Sequence, residues 1–405
     1  MRRLTAIAGE DDAGRRVKFF VRGRMGVSCG QFTALKARNG LLVNGAPVHA
    51  NYALAPGDAV TALLEDGPGK PVEPEDAPVN VVYEDEDLIL IDKPAPLACQ
   101  CSPKQAAGTL ENRLAFRYRE RPDFTFRPLN RLDKGTSGLM AAAMNAHATQ
   151  RLQRQLHTDA FVREYLAVVE GRTDGEGVID APIMKAPAST VRRIVDAGGK
   201  RAVTRYRAVL GGERRSIVRL RLETGRTHQI RVHMAHIGHP IVGDFLYGAE
   251  DPALPGRFAL HSTYIRLEHP VTGETIERES PLPAGLMPDG DILGGTVTVT
   301  MDRPLGSRHP RHPDMLYPVN YGFVCGLPAS DGDWQDAYVL GVDRPLETFT
   351  GRIVAIVRRA DDVEDKWVVC PEGSSPDAAA IMEQIRFQEQ YYNSSLVMRG
   401  GTERA

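Results

Sequence analysis

The sequence predicts a multi-domain α+β protein, on three observations. The chain has 405 residues, which at the usual domain length corresponds to about two to four domains. Two stretches rich in proline, glycine and acidic residues, 65–78 and 281–295, have the composition of linkers. Strand-like runs such as LILIDKP and SIVRLRLET occur beside helix-like runs such as AHATQRLQRQL. We therefore expect three units, formed by residues 1–68, 79–283 and 295–405.

The composition is that of a soluble globular protein, with 42% hydrophobic and 25% charged residues. No apolar run approaches the roughly 18 residues that a membrane helix needs, and the first residues lack the apolar segment of a signal peptide. We expect a cytoplasmic protein without a membrane partner. From Asp291 onward the chain has 11 Lys+Arg and 17 Asp+Glu, which leaves 39 and 35 of the totals of 50 and 52 before that point. A mildly basic body joined to an acidic C-terminal unit indicates modules with different partners.

The first unit is predicted to contain two short helices and a hairpin. GRRVKFFVRGRM has apolar residues at helical spacing, and TALKARNG reads as a second helix that ends at Gly40. Asn44-Gly45 is a strong signal for a tight hairpin turn. Basic residues between the apolar positions would form either a solvated helix surface or a face toward RNA phosphates.

The central unit contains a loop motif around Asp133, in the stretch PLNRLDKGTSGL. Glycines after the acid would let the backbone approach a ligand closely, and Arg131 lies two residues before it. The alternative is that Asp133 merely caps a helix beginning near Thr136. Taken alone, the motif does not exclude this alternative, because Asp-Lys-Gly turns are common.

Three further motifs follow in order: REYLAVVEG with Tyr165, GRTHQIRVHM with Arg226, and GHPIVGD. Together with RLDKGTSG, they make residues 80–280 resemble the RluA-like family of pseudouridine synthases. The resemblance implies a mixed antiparallel sheet and the isomerisation of uridine in ribosomal or transfer RNA, without a cofactor. It implies that Asp133, Tyr165 and Arg226 are catalytic, with Arg226 paired to Asp133, and that Arg131 helps to extrude the target nucleotide.

The chain departs from that family's pattern at several places. Asn130 stands where a histidine is usual before Arg-Leu-Asp, and Arg163-Glu164 stands where a lysine is usual before the tyrosine. None of these changes removes the three catalytic residues. His228 and His233 lie five apart in a run that reads as a strand, so they would point to opposite faces. We interpret them as packing or hydrogen-bonding residues and not as metal ligands.

The first unit resembles the small RNA-binding domain named after ribosomal protein S-four, which often precedes this family of synthases. The resemblance implies a small α/β domain whose basic face contacts RNA. The residues that would form this face are Arg22, Arg24, Lys36 and Arg38.

The C-terminal unit contains the acidic motifs DGDWQD and DDVEDKW. Acids clustered in loops suit hard cations such as Mg²⁺, although Asp-Gly-Asp is also a common solvated turn. This unit resembles soluble inorganic pyrophosphatases, whose fold is a small β-barrel. The resemblance implies Mg²⁺ ligands and residues on the side of the phosphate and attacking water. The ligands would be Asp331, Asp336, Asp361 and Asp365, and the others Asp333, Tyr321, Lys366 and Tyr391.

The pyrophosphatase pattern is incomplete, because the family's early Glu–Lys–Glu segment is missing and Tyr392 replaces a late lysine. Loss of lysines that hold phosphate weakens the stabilisation of transition-state charge. Three functions therefore stay open. The first is a pseudouridine synthase acting on RNA, fused to a pyrophosphatase-like unit with pyrophosphate as a further candidate partner. The second is a metal-dependent phosphohydrolase tethered to RNA, and the third is a non-catalytic RNA-binding protein. The intact set of Asp133, Tyr165 and Arg226 favours the first.

Overall fold

The computed structural model of the protein describes most of the chain, including every residue that the sequence singles out as a candidate site residue. Met1, Pro68 and Ala405, which are end points of two of the predicted units, lie outside the described residues. The described residues are 2–67, 69, 71–121, 123–156, 158–187, 189, 191–310, 312, 314–329, 331–362, 364–399 and 401–404.

The N-terminal unit packs two helices on a four-stranded antiparallel sheet of order β1-β4-β2-β3. Ser28 starts the second helix with a capping box, since its hydroxyl accepts from the Gln31 amide and the Gln31 side chain accepts from the Ser28 amide. Asn44 and Gly45 have φ values of 52° and 83°, so the predicted hairpin turn is confirmed. The elements are β1 (Arg2–Ile7), α1 (Val17–Gly23), α2 (Cys29–Ala37), β2 (Leu41–Val43), β3 (Ala46–Pro47) and β4 (Ala59–Leu64).

The central unit is built on a long mixed sheet in which all strand pairs are antiparallel except one, β8 with β15. The path through the sheet runs β10-β13-β14-β9-β15-β8-β6-β5, with β7 and β16 paired beside it. The elements are β5 (Asn80–Glu84), β6 (Leu88–Lys93), α3 (Leu110–Arg117), β7 (Arg127–Pro128), β8 (Ser137–Ala143), α4 (Ala146–Gln155), β9 (Val162–Glu170), β10 (Glu176–Asp180), β11 (Ile183–Lys185), β12 (Arg193–Val195), β13 (Val203–Leu210), β14 (Arg215–Leu222), α5 (Gln229–His236), β15 (Leu260–Glu268) and β16 (Thr275–Glu279).

The C-terminal unit contains a closed five-stranded barrel of order β17-β18-β19-β21-β20, closed by pairing of β17 with β20. The barrel that the sequence resemblance implies is thus confirmed as an architecture. Two further strands extend from β20, and one helix packs beside the barrel. The elements, after the short α6 (Asp289–Ile292), are β17 (Thr296–Arg303), β18 (Asn320–Pro328), β19 (Trp334–Val339), β20 (Thr348–Arg359), β21 (Lys366–Cys370), α7 (Ala378–Glu389), β22 (Ser394–Met398) and β23 (Gly401–Arg404).

The N-terminal unit contacts the central unit through ion pairs. Arg2 pairs with Glu86 and, at 2.6 Å, with Asp87, whose other oxygen accepts at 2.8 Å from the Asn145 amide. Across the described residues, Asp85, Asp87 and His269 form the one group whose three potential metal-ligand atoms lie within 4.8 Å of one another. Since Asp87 is already occupied by Arg2 and Asn145, we interpret this group as a contact between units.

The barrel lies on the face of the central sheet that is opposite to Tyr165. Successive residues of a strand point to opposite faces, so Glu164 points away from the side of Tyr165. Glu164 accepts a 2.6 Å hydrogen bond from Arg219 Nε. The guanidinium of Arg219 stacks on the ring of Trp334 of the barrel, 5.3 Å from its centroid, and donates to the Gly326 carbonyl. The barrel therefore leaves the Tyr165 side of the sheet uncovered.

The second predicted linker, 281–295, is instead a packed connection. Its apolar residues Leu286 and Ile292 are buried, and the carboxylate of Asp291 accepts a 3.3 Å hydrogen bond from the Arg214 amide. Next to it, Gly211 and Thr296 exchange two backbone hydrogen bonds of 2.9 and 3.0 Å. One continuous hydrophobic core includes residues of the central unit and of the C-terminal unit. The linker prediction is wrong here because composition does not show the contacts that a segment makes.

None of the helices in the described ranges is both long and apolar enough to cross a membrane.

Candidate active site

Asp133 lies in the loop between β7 and β8, at the base of a cleft. The loop is held by backbone hydrogen bonds, from the Thr136 amide to the Asp133 carbonyl at 3.0 Å and from the Leu97 amide to the Lys134 carbonyl at 2.9 Å. The alternative in which Asp133 caps a helix near Thr136 is wrong, because the strand β8 begins at Ser137. The side chain of Asp133 is 28% exposed and thus reachable from the cleft.

The glycines of the Asp133 motif serve packing, which differs from the ligand approach that the sequence suggests. Gly138 has a φ of +104°, and a Cβ there would lie 2.3 Å from the carbonyl oxygen of Ser262 on the neighbouring strand β15. A Cβ at Gly135 would lie 2.7 Å from the ring of Phe258. Both positions need glycine because another part of the fold fills the space.

Arg231, and not Arg226, is the ion-pair partner of Asp133. The Nη1 of Arg231 donates to Asp133 Oδ2 at 2.8 Å. Its Nε and Nη2 donate to the two oxygens of Asp244 at 2.7 and 2.8 Å. The side chains of Arg231 and Asp244 are 4% and 0% exposed. This buried bidentate pair fixes the guanidinium, which in turn orients Asp133.

Arg226 occupies a different place, so its predicted pairing with Asp133 is wrong. Its Nε donates to the Arg201 carbonyl at 3.0 Å, and its amide donates to the Gln229 side chain at 2.9 Å. The side chain still lines the cleft. The reason for the difference is that α5 begins at Gln229, so that Arg231 is carried on a helix and Arg226 on the turn before it.

His228 and His233 do not lie on a strand as expected. His228 precedes α5 with a φ of 58°, and its Nδ1 lies 2.9 Å from the Tyr247 hydroxyl while its Nε2 lies 3.8 Å from Asp133. Burial lowers the pKa of His228, against the opposing effect of Asp133. His233 is buried inside α5 and bonds to Thr204 and the Ala181 carbonyl. The interpretation of both as packing or hydrogen-bonding residues is confirmed.

Tyr165 forms a wall of the same cleft. It lies on β9, is 5% exposed, and borders the inner recess together with Asp133 and Arg231. Burial raises the pKa of the Tyr165 phenol, which Arg163 partly offsets.

The cleft is open and mostly positive. It has a volume of about 840 Å³ and continues into a recess of about 60 Å³ at Asp133. Arg131 is exposed beside Asp133 and lines the same cleft. Of the described lining residues, Asp133 is the only carboxylate, and the cations are Arg131, Lys134, Arg163 and Arg226. Such a surface suits a polyanionic ligand.

Two supporting residues were not predicted as part of the site. Lys93 is buried and donates to the carbonyls of Pro94 and Leu97 at 2.9 and 2.8 Å, and burial lowers its pKa to about 8. Asn130, in place of the usual histidine, accepts from the Ala141 amide at 3.0 Å and ties the loop to β8. The Lys-Pro and Asn-Arg-Leu-Asp stretches of the sequence are the signals that could have indicated them.

The four basic residues predicted to face RNA, Arg22, Arg24, Lys36 and Arg38, are exposed, as expected for a contact surface. Two of them are already in ion pairs, because Arg24 contacts Asp12 at 2.6 Å and Arg38 contacts Glu65 at 2.6 Å. Arg22 donates to the sulfur of Cys29, and Lys36 lies near the Phe32 ring. Their role toward RNA stays a prediction.

In the C-terminal unit, Asp336, Lys366 and Tyr321 come together as the resemblance implies. Lys366 Nζ contacts Asp336 at 2.5 Å and also pairs with Glu364, and the Tyr321 hydroxyl donates to Asp336. Burial raises the pKa of Glu364 to about 7, against the effect of Lys366. The negative charge of Asp336 is thus paired with the positive charge of Lys366.

The other C-terminal candidates make contacts of their own. Both oxygens of Asp361 accept from the Asn393 amide, Asp331 accepts from the Asp333 amide, and Asp365 lies 3.7 Å from Arg358. Tyr391 is 68% exposed and borders a separate cleft with His309 and His312. Among the described residues, no three of these acids bring potential ligand atoms within 4.8 Å of one another. Magnesium binding and pyrophosphate hydrolysis stay predictions.

Comparison with known proteins identifies the central unit. Residues 87–236 match the family model described as RNA pseudouridylate synthase. The ribosomal large subunit pseudouridine synthase D of Haemophilus ducreyi is 38% identical over 263 residues, which cover 61% of this chain and 79% of that protein. Human RNA pseudouridylate synthase domain containing 1 is 26% identical over 51% of this chain and 84% of its own, with a TM-score of 0.42.

An inorganic pyrophosphatase from Neisseria gonorrhoeae is 22% identical over 25% of this chain and 76% of its own, with a TM-score of 0.21. That similarity is too low to assign an activity. The central unit matches the family model, and the similarity to the Haemophilus protein extends over 79% of that protein. The chain therefore belongs to the RNA pseudouridylate synthase family and is a pseudouridine synthase.

Proposed function

We propose that this enzyme isomerises uridine to pseudouridine in the RNA of the large ribosomal subunit, and that the reaction takes place at Asp133. The observation that carries the proposal is the geometry of the cleft. A single carboxylate, oriented by a buried arginine, faces a buried tyrosine in a pocket whose other charged side chains are cationic.

The cationic side chains of the cleft have the charge needed to hold the RNA backbone. Phosphate contacts from arginine and lysine position a nucleic acid without reading its sequence. A base that undergoes chemistry has to leave its stack and enter a pocket. Arg131 is exposed next to Asp133. We assign it one of two roles: it fills the space that the extruded nucleotide leaves, or it contacts the backbone of that nucleotide.

The reaction breaks the bond between uracil N1 and the ribose, turns the uracil, and forms a bond from ribose to uracil C5, after which the proton on C5 leaves. The carboxylate of Asp133 can attack the sugar or the base, or abstract a proton from the sugar. All three routes need a carboxylate oxygen of Asp133 beside the extruded nucleotide. Arg231 keeps it there, since its guanidinium is fixed by Asp244.

Tyr165 is suited to hold the uracil during that turn. Its ring forms the wall of the recess and can stack on a base. Because burial raises the pKa of its hydroxyl, the group enters the reaction as a phenol that can donate a hydrogen bond.

The choice of ribosomal over transfer RNA rests on the Haemophilus relative, whose name assigns it to the large ribosomal subunit. Loss of the C5 proton gives a direct assay, because RNA labelled with tritium at uracil C5 releases tritium to water. We expect release from transcripts of large-subunit ribosomal RNA and none from transfer RNA transcripts. Release from transfer RNA alone would overturn the assignment of the substrate, and release from neither would overturn the proposed function.

A further inference from the structure

The side chain of Arg163 is a buried cation that pairs with no acidic side chain among the described residues. Arg163 is 9% exposed, and its Nε makes no hydrogen bond. Within the residues that the structure describes, the guanidinium has neither an ion pair nor a hydrogen bond. Arginine is almost never buried to this degree unless it is paired, because removing a charge from water is costly.

The fold aims Arg163 at the cleft. Arg163 and Tyr165 are two residues apart on β9 and so point to the same face, whereas Glu164 points to the barrel. The ring of Phe161 covers one face of the guanidinium, 5.2 Å from its centroid. On another side, a Cβ at Gly225 would lie 3.5 Å from Nη1, so the turn before α5 closes over the group. The remaining direction is the cleft, which Arg163 lines.

The cleft itself does not supply an anion for Arg163. Asp133, the only carboxylate among the described lining residues, is 2.8 Å from Arg231. The other charged lining residues, Arg131, Lys134 and Arg226, add positive charge. A ligand that completes this site must therefore bring negative charge, and a guanidinium fork matches the oxygens of a phosphate.

We propose that Arg163 is the anchor for a backbone phosphate of the RNA next to the target uridine, a phosphate subsite distinct from the reacting carboxylate. This inference rests on the proposed function, in that the cleft binds RNA. Arg163 acts as a positioning residue: it fixes the backbone on one side of the recess while Asp133 acts on the sugar or base. The energetic cost of its burial in the free enzyme is recovered when the phosphate binds.

Arg163→Gln tests the proposal, and Arg163→Lys is the conservative variant. All proteins in this experiment also carry Asp133→Asn, so that RNA binding is measured without turnover. The probe is a synthetic ribosomal RNA stem-loop from which the wild-type enzyme releases tritium. We expect Arg163→Gln to raise Kd about tenfold to a hundredfold, and Arg163→Lys to recover part of that loss. The slope of log Kd against log salt concentration should decrease by about 0.7 to 0.9, the value for one lost phosphate contact.

Neutral methylphosphonates at the phosphates 5′ and 3′ of the target uridine locate the contact. At one of the two positions, the methylphosphonate should weaken RNA binding by the parent protein, which retains Arg163, and leave RNA binding by Arg163→Gln unchanged. The thermal midpoint of Arg163→Gln should equal or exceed that of the parent, because an unpaired buried charge is removed.

A lower midpoint together with an unchanged salt slope would show a structural role and overturn the proposal. Equal weakening of both proteins by each methylphosphonate would also overturn it. These failures are distinguishable from failure of the proposed function, since that is decided by tritium release from the wild-type enzyme.

Discussion

Asp133→Asn is expected to lower the rate of pseudouridine formation by more than about a thousandfold, which is the scale on which removal of a reacting group acts. The amide has nearly the same volume as the carboxylate, and its oxygen can still accept from Arg231. It is, however, neither a nucleophile nor a base at neutral pH. Tritium release from labelled ribosomal RNA measures the rate.

RNA binding by the same variant should stay within about threefold of wild type, because the cations of the cleft, which we propose bind phosphate, are unchanged. Asp174→Asn is a matched control, since Asp174 is 57% exposed and pairs with Arg172 away from the cleft. It should release tritium at the wild-type rate. If the Asp133→Asn enzyme retains more than a tenth of the wild-type rate of tritium release, Asp133 is not the reacting group.

Arg231→Met is expected to have the largest combined effect on stability and activity. The substitution leaves the fully buried Asp244 without its bidentate partner, and breaking a buried pair in this way costs about 3–5 kcal/mol. It also releases Asp133 from the atom that orients it, so the remaining folded enzyme should lose at least about a hundredfold in kcat. Chemical denaturation and tritium release measure the two effects separately.

Arg226→Met is the control that separates the structural assignment from the one predicted by sequence. Its guanidinium bonds to a single backbone carbonyl, so we expect a loss of stability below about 1 kcal/mol and a change mainly in KM. Adding Asp244→Asn to Arg231→Met should restore part of the stability, because the uncompensated charge is gone, and none of the activity. If Arg226→Met abolished kcat while Arg231→Met left it intact, the pairing described here would be refuted.

The error at Arg226 has a physical origin in α5. A helix is recognised from sequence by apolar residues on one face, but six consecutive residues of this helix, 229–234, are buried. The apolar residues Ile230, Val232 and Met234 alternate with polar ones, which is the pattern of a strand. The polar residues between them are buried because they bond to Asp244, Thr204 and neighbouring groups. No local pattern reports such long-range partners.

Other parts of the fold were accessible from sequence because their signals are local. The hairpin at Asn44-Gly45 and the amphipathic α4 were predicted near their observed bounds. Asp133 and Tyr165 were found from their motifs and do share a recess. The docking of the barrel through Arg219 and Trp334, and the packed segment 281–295, depend on contacts between distant residues and were missed.

The central claim is that the Asp133 cleft makes pseudouridine in large-subunit ribosomal RNA. The most direct test maps pseudouridine in the ribosomal and transfer RNA of cells that lack this protein, complemented with either the wild type or Asp133→Asn. We predict that at least one pseudouridine of large-subunit RNA disappears without the protein, returns with the wild type and stays absent with Asp133→Asn. An unchanged set of large-subunit pseudouridines in the deficient cells, or their return with Asp133→Asn, would contradict the claim.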